Sequence, residues 1–336
     1  MKTKFFTLTL LVLLFMNSCQ NSDSDIQMDT DLNKSSFTPT FQKTESIILN
    51  LDKSQANKGE SSSMNFMKAV NQAFRAKGIL LQLSAIESYS ADGEGKTVFF
   101  NSRGNKQLSS DFVPNDPRRY GVAPIVFGYD GFEGSTKSGL SQSDTDGAIE
   151  NAMNTWDNVS CSSGLDLYNI GPSPFNMGYV QAIITEGASG PFFYTDIMHS
   201  GFNTEVTDAV FGPGSNVLGV TFTFFWGDYD SEGNFIPSDV DNNGKNDVAF
   251  RDIYYNDAYK WSLDGSGIDV ETVALHEAGH GLSQGHFGKF FRTDANDKFH
   301  FSPRAVMNAG YTGIQTTISQ SDNGGHCSNW SEWPNN

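Results

Sequence analysis

The chain has 336 residues, 38% hydrophobic and 13% aromatic, enough apolar mass to bury a core in one large domain or a smaller domain with appendages. A net charge of −17 and a pI near 4.6 leave no basic face for a nucleic-acid partner. Beyond the N-terminus, no apolar run is long enough to cross a bilayer as a helix.

Lys2 and Lys4 precede the apolar run Phe5–Met16, the pattern of an export signal over residues 1–19. The run ends in Met-Asn-Ser-Cys, which resembles the lipobox of bacterial lipoproteins with Cys19 as the lipidated residue. Two destinations follow: an outer-membrane or cell-surface lipoprotein that touches the membrane only through its lipid, or ordinary secretion. In either compartment Cys161 and Cys327 form a disulfide or remain two buried thiols. Residues 20–62 are polar and read as a flexible tether.

Apolar positions at Met64, Met67, Val70, Phe74 and Leu81 predict a helix within 64–86, and Lys96–Phe100 predicts a strand. Two prolines and two arginines mark 111–120 as a connector. Residues 63–118 read as a pro-segment or an accessory region ahead of a main domain over 119–336. The absence of cysteine between Cys19 and Cys161 excludes a thiolate from such a pro-segment as a metal-blocking group.

In the main domain Ala123–Gly128 reads as a strand, and Ser143 opens a helix with Ala148, Ile149, Ala152, Met153 and Trp156 on one face. Gly178–Ile184 and Val217–Trp226 both read as strands. Asp269 is a good N-cap for the next helix, which carries His276-Glu277-Ala-Gly-His280. Histidines at i and i+4 point the same way on a helix, the geometry two zinc ligands need. Glu277 is placed to take a proton from a water that the metal has acidified. His286, six residues past His280 and beyond glycines that can end the helix, is a third ligand. Requiring it cuts the chance of an accidental match to below roughly one in ten thousand.

The segment His276–His286, HEAGHGLSQGH, resembles the extended zinc signature of the metzincins, and Ala305-Val-Met-Asn-Ala-Gly-Tyr311 resembles their Met-turn in its matrixin form. Thr195–Met198, Phe211–Gly219, Asp252–Trp261 and Ile318–Trp330 resemble further matrixin segments in order. The resemblance implies an α+β fold: a twisted, mainly parallel sheet with one antiparallel edge strand, an active-site helix and a C-terminal helix. It implies a monomeric zinc endopeptidase acting on peptide or protein substrates, with Glu277 as base and Met307 under the metal. Val217, Leu218, Gly219, Val220 and Thr221 would be the edge to which an extended peptide adds. The alternatives are an inactive surface binding protein on this fold, or a zinc hydrolase of a non-peptide bond.

Two departures from the family pattern stand out. Ser283 replaces the glycine between the second and third histidines, where a left-handed backbone costs a residue with a β-carbon on the order of 1 kcal/mol. The histidines that build a second, structural zinc in vertebrate-type matrixins have no counterparts here, where Val220, Phe222 and Tyr254 stand, so a single zinc is expected. Asp239, Asp241, Asn243 and Asp247, with a glycine at the sixth position, match part of a calcium loop or form a solvated turn. His199, His300 and His326 are isolated and read as packing or surface residues.

Overall fold

Ser61 caps α1 (Ser62–Lys77) by accepting from Met64 N, and Gly78 ends it in the left-handed conformation. The helix therefore stops well short of residue 86. The next segment, from Leu81, turns into a strand, correcting the expected helix over 64–86. The structure, a computed structural model, describes residues 40–44, 61–100, 109–132, 134–185, 192–295 and 298–335. All belong to one compact unit, Pro39–Asn336, with no division at residue 118. The signal segment, Cys19 and most of the tether lie outside the described residues.

The fold is α+β. In chain order the strands of the main sheet are β1 (Leu81–Ser90), β2 (Thr97–Phe99), β3 (Ser110–Asp111), β4 (Ile125–Asp130), β5 (Leu167–Ser173), β6 (Ile197–Phe202), β7 (Val217–Tyr229), β8 (Phe235–Pro237) and β9 (Asn246–Tyr255). They lie in the order β2-β1-β7-β9-β6-β4-β5, with β8 on β7 and β3 on β9. The run β9-β6-β4-β5 is parallel, and β7 is antiparallel to both its neighbours.

This order corrects the expected edge strand. Residues 217–221 of β7 sit inside the sheet, paired to β9 on one side and to β1 on the other. The segment expected to be a pro-segment or accessory region thus supplies the strand that covers them. The far end of β1 is also held from its other side, where Tyr311 N donates to Ser90 O at 2.8 Å beside a parallel Ser90–Gly310 bridge.

The remaining helices are α2 (Gln142–Asp157), α3 (Tyr179–Ile184), α4 (Thr204–Phe211), α5 (Val270–Gly281) and α6 (Gln320–Trp330). The start of α2 lies just before the expected Ser143, because Ser141 and Asp144 form a capping box. Where a strand was expected over Gly178–Ile184, Tyr179–Ile184 is a helix with Gly178 at its N-cap. Asp252 accepts from Val180 N at 2.8 Å and Tyr254 Oη accepts from Gln181 N at 3.0 Å, so side chains from β9 satisfy the helix's first amides.

Each face of the sheet carries its own core. On one, Phe66, Met67, Val70 and Phe74 of α1 pack with Leu83, Ile86, Val220, Phe222, Phe224 and Tyr254. Burying such side chains contributes roughly 1.5–3 kcal/mol each, which ties α1 and β1 firmly to the sheet. On the other, α2 and α5 pack together with Leu218, Phe225, Met307 and Trp330. A register shift between Leu83 and Ala85 lets Leu83 and Ile86, three residues apart, both face α1, while Tyr89 faces α5. Cys161 and Cys327 are joined by a disulfide, with α-carbons 5.7 Å apart, fastening the turn after α2 to α6.

Candidate metal centre

Asp269 begins α5 as its N-cap, accepting from Thr272 N at 2.8 Å, and the helix runs buried beneath the sheet. Trp156 Nε1 donates to Leu275 O at 2.8 Å and Trp330 Nε1 to Leu282 O at 2.9 Å, fixing the helix against α2 and α6. Gly279 has no room for a side chain, since a β-carbon there would run into Met307 Sδ. Met307 itself is fully buried, with its amide donating to Asp322 of α6 at 3.0 Å. Val306 N makes the same contact at 2.9 Å, so one carboxylate holds the whole turn.

His276, His280 and His286 meet at their Nε2 atoms, each 3.1 Å from the other two. Tetrahedral zinc with Zn–N near 2.0–2.1 Å would set its ligand nitrogens roughly 3.3 Å apart. The tautomers follow from the other nitrogens. His276 Nδ1 donates to Val306 O at 2.7 Å and His280 Nδ1 to Gln284 O at 2.7 Å, while His286 Nδ1 lies 3.2 Å from Thr97 Oγ1. With each Nδ1 carrying the proton, three Nε2 lone pairs point at one another. Such a cluster could hold a metal ion, and the donor set of three imidazoles suits zinc.

Burial pushes His276 down to about 4, and it holds His280 well below the ordinary imidazole range, helped by the two neighbouring histidines. Both are therefore neutral and ready to ligate at pH 7. Glu277 is fully buried, and its Oε2 accepts from Thr221 Oγ1 at 2.7 Å. Among the described residues its Oε1 has no hydrogen-bond partner. Burial raises the carboxyl well above its usual range against the pull of Thr221, and Glu87 adds to the rise. A dication at the Nε2 atoms would reverse that balance.

Ser283 adopts the left-handed conformation at φ 65°, as the glycine it replaces would. Arg251 Nη2 donates to its Oγ at 2.9 Å, and Nη1 donates to Gly281 O. The serine keeps the turn and adds a side-chain anchor, so the turn to His286 is held despite the substitution.

The sequence reading missed four side chains around the ligands. Tyr89 stacks on His276 with centroids 3.9 Å apart, Glu87 Oε1 approaches His280 Nδ1 at 3.3 Å, and Thr97 and Arg251 make the contacts above. The one available sign was Glu87, the single charged residue of its strand.

The acidic loop is brought together: Asp239, Asp241 and Asp247 offer oxygens within 4.8 Å of one another. Part of the local charge is offset by neighbouring cations. Arg118 pairs with Asp247 at 2.7 Å and Lys245 with neighbouring Asp111 at 2.8 Å. Asn243 turns its amide to Asp241 and Asp111, and Asp239 accepts from Asn243 N and Gly244 N. These contacts order the turn, and its three carboxylates remain close enough together to share a cation. Tyr254 Oη donates to Asp252, and Val220 and Phe222 pack in the core around it. His199 is buried beside Tyr255, His326 is buried against Ser162, and His300 is half-buried near Thr293. Protein-family models provide no match to this chain, and no curated protein matches it.

Proposed function

We propose that this protein is a zinc-dependent endopeptidase of the metzincin, matrixin-like type, exported and anchored through Cys19. The observation that carries this reading is the convergence of three Nε2 lone pairs beside a buried carboxylate with an unpartnered oxygen. His276, His280 and His286 would hold the zinc. When bound, zinc polarises the scissile carbonyl and lowers the pKa of water at the site. Glu277 takes the proton from the attacking water through Oε1 and passes it to the leaving amine, while Thr221 fixes Oε2. Substrate approaches from the side of His286, the ligand partly open to solvent. The intact and poised Glu277 speaks against an inactive binding protein. The carboxylates of Asp239, Asp241 and Asp247 could hold a calcium ion in addition, with Arg118 and Lys245 offsetting part of the local charge.

One observation favours a second reading, a zinc hydrolase of a non-peptide bond. With β1 paired along Gly219 and Thr221, an extended peptide has no free main-chain groups there to bind. A mixed peptide library and a panel of small esters and amides, offered to the zinc-loaded full chain, separate the two. Cleavage of peptides by the parent but not by Glu277→Ala supports the endopeptidase. Turnover confined to the small substrates replaces it with the second reading.

A further inference from the structure

The ligand that most needs outside support is His286. His276 and His280 ride on α5, whose backbone fixes them, but His286 lies past the end of the helix on a turn. Across the sheet from that turn lies one row of side chains in register: Thr97 of β2 opposite Glu87 of β1, and Glu87 opposite Thr221 of β7. All three face α5, and each meets a different member of the site. Thr97 Oγ1 is 3.2 Å from His286 Nδ1, Glu87 Oε1 is 3.3 Å from His280 Nδ1, and Thr221 Oγ1 is 2.7 Å from Glu277 Oε2.

We infer that Thr97, with Glu87 beside it, is a positioning residue of the metal centre, so that the N-terminal hairpin β1–β2 completes the site. Thr97 accepts from His286 Nδ1, which fixes the ring's rotation and the tautomer that leaves Nε2 free to ligate. Glu87 shares the His280 Nδ1 proton with Gln284 O and makes that imidazole a stronger donor to a cation. The hairpin is held to deliver these groups. Asn71 of α1 clamps Leu83 by donating to its carbonyl at 2.9 Å and accepting from its amide at 2.8 Å. Lys96, next to Thr97, accepts from Ser88 N through its carbonyl and donates its amide to Ser88 Oγ at 3.1 Å. Residues 62–99 therefore belong to the working unit and are not a piece to be shed. The inference rests on the three histidines holding a metal, but not on the bond that is cleaved.

The test is zinc affinity of the full chain, by competition with a chromophoric chelator, together with the visible spectrum of the cobalt(II) form. Thr97→Val keeps the size of the side chain and removes the acceptor; it should weaken zinc binding about 10- to 100-fold and alter the cobalt spectrum. Thr97→Ser should return affinity to near the parent's value, and Glu87→Gln should weaken binding in the same direction as Thr97→Val. The metal-free forms should melt together, separating loss of positioning from loss of fold. Zinc affinity of Thr97→Val within about two-fold of the parent overturns the inference. So does a Thr97→Ser variant no better than Thr97→Val. A parent that binds no zinc at all would instead sink the zinc reading on which the inference rests.

Discussion

Arg251 Nη2 donates to Ser283 Oγ at 2.9 Å, so a buried guanidinium on β9 holds the left-handed serine between the second and third histidines. Burial lowers the Arg251 guanidinium to about 10, countered by Glu87 and Asp111. A charged donor in such a setting is expensive to leave unpaired. Ser283→Ala keeps the strained backbone and removes the acceptor, and should cost about 1–3 kcal/mol. Ser283→Gly removes the acceptor but also relieves the backbone, and should cost less. Urea unfolding of the zinc-free proteins checks the order; a Ser283→Ala variant as stable as the parent would mean that Arg251 does not anchor this turn.

Glu277→Ala should leave zinc bound, because all three Nε2 donors remain, while hydrolysis falls by several orders of magnitude. Zinc content and turnover are to be read on the same preparation. Activity that persists with zinc in place would assign the base to another group.

Zinc should be lost in mild acid. Unfolded histidine titrates near 6.5, whereas burial lowers His276 to about 4 in the folded chain. The folded pKa is the lower one, so the neutral, ligating form is fully populated above 6.5, and its contribution to stability is lost as pH falls from there towards 4. Protons then compete directly for the ligand nitrogen. Occupancy after dialysis at stepped pH should hold near neutrality and collapse as pH approaches about 4. Full occupancy at that pH would show that histidines are not the principal ligands.

The Cys161–Cys327 disulfide closes a loop with a sequence separation of 166 residues. The chain-entropy model gives such a loop about 5 kcal/mol, before any native-state strain. Peptide mapping without reductant should recover the two cysteines linked, and a Cys161→Ser, Cys327→Ser double variant should unfold at lower denaturant. Free thiols at both positions would contradict the pairing but leave the metal centre untouched.

The parts of this molecule that the sequence made legible are those whose cause is local. Asp269 as a cap, the i, i+4 histidines and the β-branched run from Val217 each announce themselves within a few residues. What stayed hidden depends on partners distant in sequence. Residues 179–184 fold as a helix because Asp252 and Tyr254 cap them from β9. Val217–Thr221 is covered because Ser88, Tyr89 and their neighbours reach it from far earlier in the chain. Thr97 lies 189 residues from His286, and no spacing rule could have linked them.

One zinc per chain, held by His276, His280 and His286, is the stoichiometry we propose. Among the described residues, the groups of His, Cys, Asp or Glu placed to share a cation are this triad and the acidic loop. The region of β7 and β9 that could build a second zinc site is filled instead by Val220, Phe222 and Tyr254, with Tyr254 Oη donating to Asp252 at 2.8 Å. His199, the nearest imidazole, is bonded to Tyr255 and buried, and burial lowers it to about 3. Elemental analysis of the dialysed full chain should give a zinc-to-protein ratio near one, falling to near zero in a His276→Ala, His280→Ala double variant. A ratio of two in the parent, or of one remaining in that variant, would contradict this account.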